Sequence, residues 1–268
     1  MPRKREKAPV RTSPGARGPR TGKRETKDER DEIDSAWAQL LDSTATDALV
    51  EGMDPDQRTY YEKMLRGPIR QAYVDEPAGT GKTTAAFVAG LQHLRAGKLG
   101  KLLYIRFPSK RGNKLGFVPG ELAAKEDLYF DPAYQALEKC GIQREAVSSL
   151  IERGVFSFQT DVRLRGTTLD DAFIIVDEAQ NAQDIPELEL VLGRFTDNVR
   201  AAIIGDSRQC DSNVRLYGRE RLNAFQVYTR HMTKQKWAER FRLSHNYRGV
   251  MAKYAAAVDE TVKELEDE

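Results

Sequence analysis

The sequence is short of cysteine and of long apolar runs, and its charges nearly cancel; each shortage excludes something. Its 268 residues hold two cysteines, Cys140 and Cys210, far apart and with no Cys-x-x-Cys or Cys/His spacing. That leaves no disulfide framework and no four-ligand zinc site to expect, and it points to a reducing, cytoplasmic setting. No stretch approaches the roughly 18 consecutive apolar residues of a membrane span, and no apolar segment follows the basic N-terminus as one would in a signal peptide. Neither membrane insertion nor secretion is expected. What is present, 40% hydrophobic and 31% charged residues, is enough for one large domain with a real core.

The net charge of +2 conceals an asymmetry. Met1 to Arg24 carries nine Lys or Arg against one acid, Glu6, with four of the eleven prolines and almost no large apolar side chain. From Glu25 to Glu268 the chain has 34 basic and 40 acidic residues, a net −6. The N-terminal segment buries too little apolar surface to offset its ordering entropy. Residues 1–30 therefore read as a disordered basic tail and residues 31–268 as a single domain. The tail suits an electrostatic arm for phosphate-rich partners or, more blandly, a solubilising extension.

From Asp31 a helical period brings Ile33, Trp37, Leu40, Leu41 and Leu49 near one face. Asp54-Pro55 is a helix start, a capping carboxylate followed by proline in the first turn, with Tyr60, Tyr61, Met64 and Leu65 behind it. Beyond Gly67-Pro68, short apolar runs alternate with helix-length amphipathic segments. Strands are expected at 69–74, 102–107, 155–159, 172–176 and 201–204, with a helix from Thr83 to about Ala96 and another opened by Pro186. Runs apolar throughout suit strands buried on both faces, so the rhythm predicts an α/β fold with a mostly parallel sheet flanked by helices. Ligands of such sheets bind at the carboxyl ends of the strands.

After the first strand the sequence reads Asp75-Glu76-Pro77-Ala78-Gly79-Thr80-Gly81-Lys82-Thr83-Thr84, and a helix follows. This is a phosphate loop. Backbone N–H groups from Ala78, Gly79, Thr80, Gly81 and Thr84 can cradle a β-phosphate, Lys82 can reach the β- and γ-oxygens, and the Thr83 hydroxyl can ligate Mg²⁺. Glu76 stands where the loop's first glycine is usual. A carboxylate aimed at a triphosphate would repel it, so Glu76 is expected to point outward at the loop entrance.

The apolar strand 172–176 ends in Asp177-Glu178. Asp177 suits the Mg²⁺ shell, and Glu178 projects further, able to polarise the water that attacks a γ-phosphate. The next strand ends in Gly205-Asp206-Ser207-Arg208-Gln209, where the Gln209 amide can donate to a γ-phosphate and accept from the catalytic water. ATP with Mg²⁺ is the ligand pair this constellation fits. A kinase on the same loop would not need Glu178 or the Gln209 sensor.

In this order the three motifs resemble a RecA-like core of superfamily 1 helicases. The segment Lys114-Leu115-Gly116-Phe117-Val118-Pro119-Gly120 with Lys125 and Tyr129, and the string Gly166 to Gln180 with Asn181, are closer to the PhoH-like family of ATPases. The resemblance covers roughly Asp54 to Gln209. It implies a cytoplasmic ATPase with one RecA-like domain, helicase-like, associated with RNA, in a family whose members can assemble as rings. It also suggests Gln57 as an adenine-reading glutamine, since an amide can pair with both N7 and N6 of adenine. Phe241 to Gly249 is similar to the helicase element in which a tyrosine stacks on the base and an arginine touches the γ-phosphate. Tyr247 and Arg248 occupy those places, and because no second RecA-like lobe follows the final amphipathic helix, Arg248 is expected to act in trans within a homo-oligomer, as an arginine finger.

Arg106, Lys110, Arg111 and Lys114 cluster after the second strand with Phe107 and Phe117, and Arg163 and Arg165 follow; such groups can track RNA or single-stranded DNA. His93, His231 and His245 have no metal-ligand spacing. The leading expectation is Mg²⁺-dependent ATP hydrolysis coupled to RNA or another single strand. Its rivals are a nucleotide-gated binding module with slow turnover and a nucleoside kinase.

Overall fold

The computed structural model describes residues 27–109, 122–164, 167–210 and 214–267. The tail's first 26 residues, the segment 114–120 that carries part of the family resemblance, and Lys110, Arg111 and Arg165 lie outside this set. Three helices come first: α1 (Lys27–Leu41), which begins ahead of Asp31, α2 (Thr44–Glu51) and α3 (Pro55–Arg66). The helix start expected at Asp54 is present. Its carboxylate accepts the Asp56 and Gln57 backbone N–H groups, and Pro55 opens the helix where no N–H is needed.

The chain then runs β1 (Gln71–Asp75), α4 (Lys82–Arg95), β2 (Lys101–Arg106), α5 (Leu122–Lys139), α6 (Arg144–Glu152), β3 (Phe156–Thr160), β4 (Ala172–Asp177), α7 (Ile185–Leu192) and β5 (Val199–Gly205). A separate antiparallel hairpin follows, β6 (Arg215–Tyr217) and β7 (Glu220–Leu222), and then α8 (Ala224–Met232), β8 (Ala238–Phe241), α9 (Val250–Ala256) and α10 (Val258–Asp267). The main sheet has six strands in the order β3-β2-β4-β5-β1-β8, all parallel.

Side chains of a strand alternate between faces, and the central strand β4 shows why its run is apolar without interruption. Phe173 and Ile175 pack with Phe87 and Leu91 of α4 and with Tyr104, while Ile174 and Val176 pack on the other face with Leu188 of α7 and Phe225 of α8. Every residue of β4 is buried. Each large apolar side chain so buried contributes about 1.5–3 kcal/mol. The result is three layers, with α1 and α3 to α6 on one side and α7 and α8 on the other.

Parallel strands all point their carboxyl ends one way. The order of the sheet sets β1 beside β5 and β5 beside β4, with Asp75 opposite Gly205. The segments that follow these three strands therefore meet at one edge.

Candidate active site

The loop after β1 owes its shape to two glycines. Gly79 and Gly81 have φ of 94° and 75°, in the left-handed region that favours glycine, and Gly81 leads directly into α4. A Cβ on Gly81 would stand 2.0 Å from Gln57 Nε2, so the loop and α3 could not approach as they do. Lys82 bends back over the loop and donates from Nζ to the Glu76 and Pro77 carbonyls, at 3.0 and 3.2 Å. Thr80 is buried, its hydroxyl donating to the Pro77 carbonyl at 3.1 Å. Ala78, Thr83 and Thr84 are half-buried around the same turn.

Glu76 turns toward β8 rather than to the loop mouth. It is half-buried, near Arg242 and Arg240, and takes a hydrogen bond from the Leu243 backbone. Burial pushes its carboxyl above the usual range, with Asp75 adding to the rise while Arg242, Arg240 and Leu243 oppose it. The expected outward position at the loop entrance becomes a packed position at the sheet edge, with the same consequence that the carboxylate faces away from the phosphate seat.

At the end of β4, Asp177 is 4% exposed. Its Oδ1 accepts the Glu178 N–H at 3.0 Å, and its Oδ2 accepts the Tyr104 hydroxyl at 2.5 Å. Burial first, and then Asp177, hold the Tyr104 phenol well above its ordinary pKa, so it stays a donor. Thr83 in the first turn of α4 and Asp177 offer the hard oxygen donors that Mg²⁺ takes, so the donor set fits that ion.

Glu178 has φ of 55°, which lifts it out of the strand path. Its Oε2 accepts from Gln180 Nε2 at 2.6 Å, and its Oε1 lies 3.8 Å from Arg106 Nη2. Gln180 is buried, and its Oε1 accepts the Asp206 N–H at 3.0 Å. Asp206 Oδ2 in turn accepts from Gln209 Nε2 at 3.0 Å. Glu178, Gln180, Asp206 and Gln209 thus form one hydrogen-bonded line from β4 to the turn after β5. Ser207 closes the third side, donating from N and Oγ to the two oxygens of Asp75, each at 2.8 Å.

Arg106 is not laid out on an open basic surface. Besides facing Glu178, it donates to the Tyr129 carbonyl at 2.6 Å, and its guanidinium lies 5.2 Å from the centre of the Tyr129 ring. The Tyr129 hydroxyl returns a bond to the Arg106 carbonyl at 3.0 Å.

The segment after β8 straps the loop. Asn246 Nδ2 donates to the Ala78 carbonyl at 3.2 Å and the Tyr247 N–H to the Gly79 carbonyl at 2.9 Å. A Cβ on Gly79 would come within 2.6 Å of Asn246 Oδ1 and 2.8 Å of Arg248 Cγ, so the exposed Arg248 rests its stem on the loop of its own chain. Gln57 is buried between loop and strap. Its Nε2 donates to the Thr80 carbonyl at 2.9 Å, and its Oε1 accepts the Tyr247 hydroxyl at 2.7 Å. Asp54 Oδ2 lies 2.9 Å from the same hydroxyl and competes for its one proton, and Tyr247 is about half exposed. Both ends of the Gln57 amide are therefore engaged within the protein.

The structure brings Lys82, Thr83, Asp177, Glu178 and Gln209 to one edge of the sheet. Sequence reasoning did not find Gln180, Asn246 and Ser207 as connectors, or Tyr104 as the partner of Asp177. Gln180 ends the string from Gly166 to Gln180, but nothing in the pattern shows that its amide reaches Asp206.

A parallel sheet that delivers a phosphate loop, an acidic pair and a polar strand end to one edge defines a nucleotide-binding P-loop NTPase. The family model described as PhoH-like protein matches residues 49–247, and the chain belongs to that family. It is 32% identical over 185 residues to a PhoH-like protein of Bacillus subtilis, covering 69% of this chain and 57% of the relative. It is 35% identical over 172 residues to one from Synechocystis, covering 64% and 51%. Protein PhoH of Escherichia coli is 30% identical over 135 residues, covering 50% and 38%. The chain spans about half the length of the curated relatives it matches. Among solved structures, the helicase MrfA bound to DNA and AMPPNP aligns with a TM-score of 0.38 at 12% identity, over 76% of this chain and 34% of that one. Among the described residues no helix is long and apolar enough to cross a membrane.

Proposed function

We propose that the chain hydrolyses ATP and couples that reaction to binding a single strand of RNA or DNA. The observation that carries this reading is the bonded line from Glu178 through Gln180 and Asp206 to Gln209, beside a loop whose Lys82 is already in place. Lys82 and the loop N–H groups hold the β- and γ-phosphates. Thr83 and Asp177 would hold Mg²⁺, which when bound would neutralise charge on the phosphate oxygens. Water attacks the γ-phosphorus, Glu178 accepts a proton from it, and the bond to the β–γ bridging oxygen breaks with ADP leaving. Gln209, anchored to Asp206, senses the γ-phosphate and passes its presence to Glu178 through Gln180. Arg248, its stem resting on Gly79 of its own chain, acts as an arginine finger on the γ-phosphate. Gln57 reads adenine once Tyr247 releases its amide.

A nucleotide-gated module with slow turnover is the second reading, favoured by Glu178 having both oxygens engaged, one by Gln180 and one facing Arg106. Steady-state ATP hydrolysis by the full chain, with and without oligouridylate or oligodeoxythymidylate, separates the two. A coupled ATPase is stimulated by the strand and loses about 10³-fold or more in kcat on Glu178→Gln while retaining nucleotide binding. Slow, unstimulated turnover would favour the module.

A further inference from the structure

The β6–β7 hairpin stands outside the main sheet as a two-stranded ribbon, pairing Arg215 with Leu222, Leu216 with Arg221 and Tyr217 with Glu220. From Val214 to Arg221 every residue is exposed, including Leu216 at 69% and Tyr217 at 38%. Directly opposed residues share a face, so Arg215 and Tyr217 lie on one side and Leu216 and Arg221 on the other, with Arg219 at the tip. The single acid of the ribbon, Glu220, is taken up by Arg230 of α8. Arg215, Arg219 and Arg221 have no carboxylate partner among the described residues. These three guanidinium groups thus lie on the face of the exposed Tyr217 (Arg215), at the tip (Arg219) and on the opposite face (Arg221), on a body whose net charge is −6 with them counted.

The C-terminal end of the ribbon reaches the nucleotide edge. The ribbon begins shortly after Gln209, and it ends at Asn223, which caps α8 and donates from Nδ2 to Ser207 Oγ at 3.1 Å. Ser207 is bound to Asp75, the last residue before the phosphate loop.

We propose that this hairpin is a binding site for single-stranded nucleic acid that passes over its tip, with Arg215, Arg219 and Arg221 on its phosphates and Tyr217 beneath a base, and that it reports occupancy to the loop through Asn223, Ser207 and Asp75. Arginines track a phosphate backbone, and aromatic rings accept any base by stacking. A polyanion is the occupant the charge selects, since a protein partner would have to present carboxylates to match all three arginines. The inference deepens the reading of the chain as a strand-coupled ATPase and rests on it for the nature of the strand.

The test uses the full chain, with fluorescent oligouridylate and oligodeoxythymidylate titrated over a range of salt concentrations, beside ATP hydrolysis and size-exclusion chromatography. In the triple variant Arg215→Ala/Arg219→Ala/Arg221→Ala, the slope of log affinity against log salt becomes shallower by about 2, because each phosphate contact on a single strand contributes about 0.7. Stimulation of hydrolysis falls while the rate without oligonucleotide is unchanged. Tyr217→Ala weakens binding about tenfold without changing the slope. The triple Arg→Lys variant keeps the slope, showing that charge rather than loss of fold is responsible.

If the parent chain binds and the triple alanine variant binds equally with an equal slope, the hairpin proposal is overturned and the ATPase reading stands. Binding lost with the hairpin in a protein that hydrolyses no ATP would preserve the site and remove the ATPase. A parent chain that binds neither oligonucleotide at low salt overturns the hairpin proposal and the strand coupling together. If the variant instead changes the oligomeric state and leaves oligonucleotide binding intact, the ribbon is a protein contact and the proposal fails.

Discussion

Gln180 shows how one amide can tie two motifs together. It has a donor end on Glu178 and an acceptor end on the Asp206 backbone, and it is buried so that no water can replace either bond. Gln180→Glu keeps an acceptor for Asp206 and places a second carboxylate against Glu178. We expect kcat to fall about 10–100-fold, the range seen when a group that orients a reactive ligand is altered. We also expect the acid limb of the pH–rate profile to move to higher pH, because two like charges in one site resist joint ionisation. A merely structural role would lower the melting temperature and leave the profile in place. Glu76 gives the opposite expectation. Its side chain faces Arg242 and Leu243, and only its backbone carbonyl touches Lys82. Glu76→Gly should leave ATP affinity within about twofold by calorimetry and cost about 1 kcal/mol of stability through the lost hydrogen bond. At this scale the phosphate loop and the acidic pair were legible, since Gly79, Gly81, Lys82, Thr83, Asp177 and Glu178 each have a job that only one or two residue types perform. Tyr104 was not. Its hydroxyl matters because register sets Ile105 beside Val176 and brings β2 along β4, which no local pattern announces.

Elements were legible where periodicity was strong. The strands expected at 69–74, 102–107, 155–159, 172–176 and 201–204 appear within a residue or two of those bounds, and the helix expected from Thr83 is α4. Helix α5 was not foreseen, because Pro132 lies inside it and proline ordinarily ends a helical pattern. The three-residue strands of the hairpin and the four-residue β8 are too short for alternation to speak. Within α4, His93 is 1% exposed, stacks on Phe173 at 5.7 Å, and its Nε2 lies 3.1 Å from the Met64 carbonyl, while Nδ1 is buried without a partner among the described residues. Burial, with Arg200 and Lys98 adding to it, holds the imidazole below its ordinary 6.5, against the opposing bond to Met64. The folded state therefore binds fewer protons at His93 than the unfolded state does. Its contribution to stability is complete above about pH 6.5 and declines as pH falls from there toward the folded value. His93→Phe keeps a ring on Phe173, and the Met64 carbonyl retains Arg200 Nη1 at 3.2 Å. Denaturant unfolding measured from pH 8 to pH 5 should show a flatter stability profile in that variant below pH 6.5. An unchanged slope would assign the acid sensitivity elsewhere.

For the whole molecule, charge is divided rather than balanced. A tail with nine basic residues and one acid precedes a body of net −6, so a polyanion meets attraction from one part and repulsion from the average of the other. Neither hydropathy nor periodicity could show which groups on the body resist that average, because the arginines of the hairpin lack a carboxylate partner among the described residues only by virtue of where Glu220 and Arg230 meet in space. Removing Met1 to Arg24 stops short of α1, which starts at Lys27, so every contact among the described residues is retained. If the tail is an arm for single strands, its nine cations can account for a salt slope of at most about 6 at 0.7 per contact. We expect the shortened chain to bind oligouridylate more weakly and with a distinctly shallower slope. Its ATP hydrolysis without oligonucleotide should equal that of the full chain, since none of the residues at the nucleotide edge is touched. Residual binding with a slope near 2 in the shortened chain would be the share that three arginines of the hairpin can hold. An identical slope in the two chains would make the tail a solubilising extension and leave the body to recognise the strand alone.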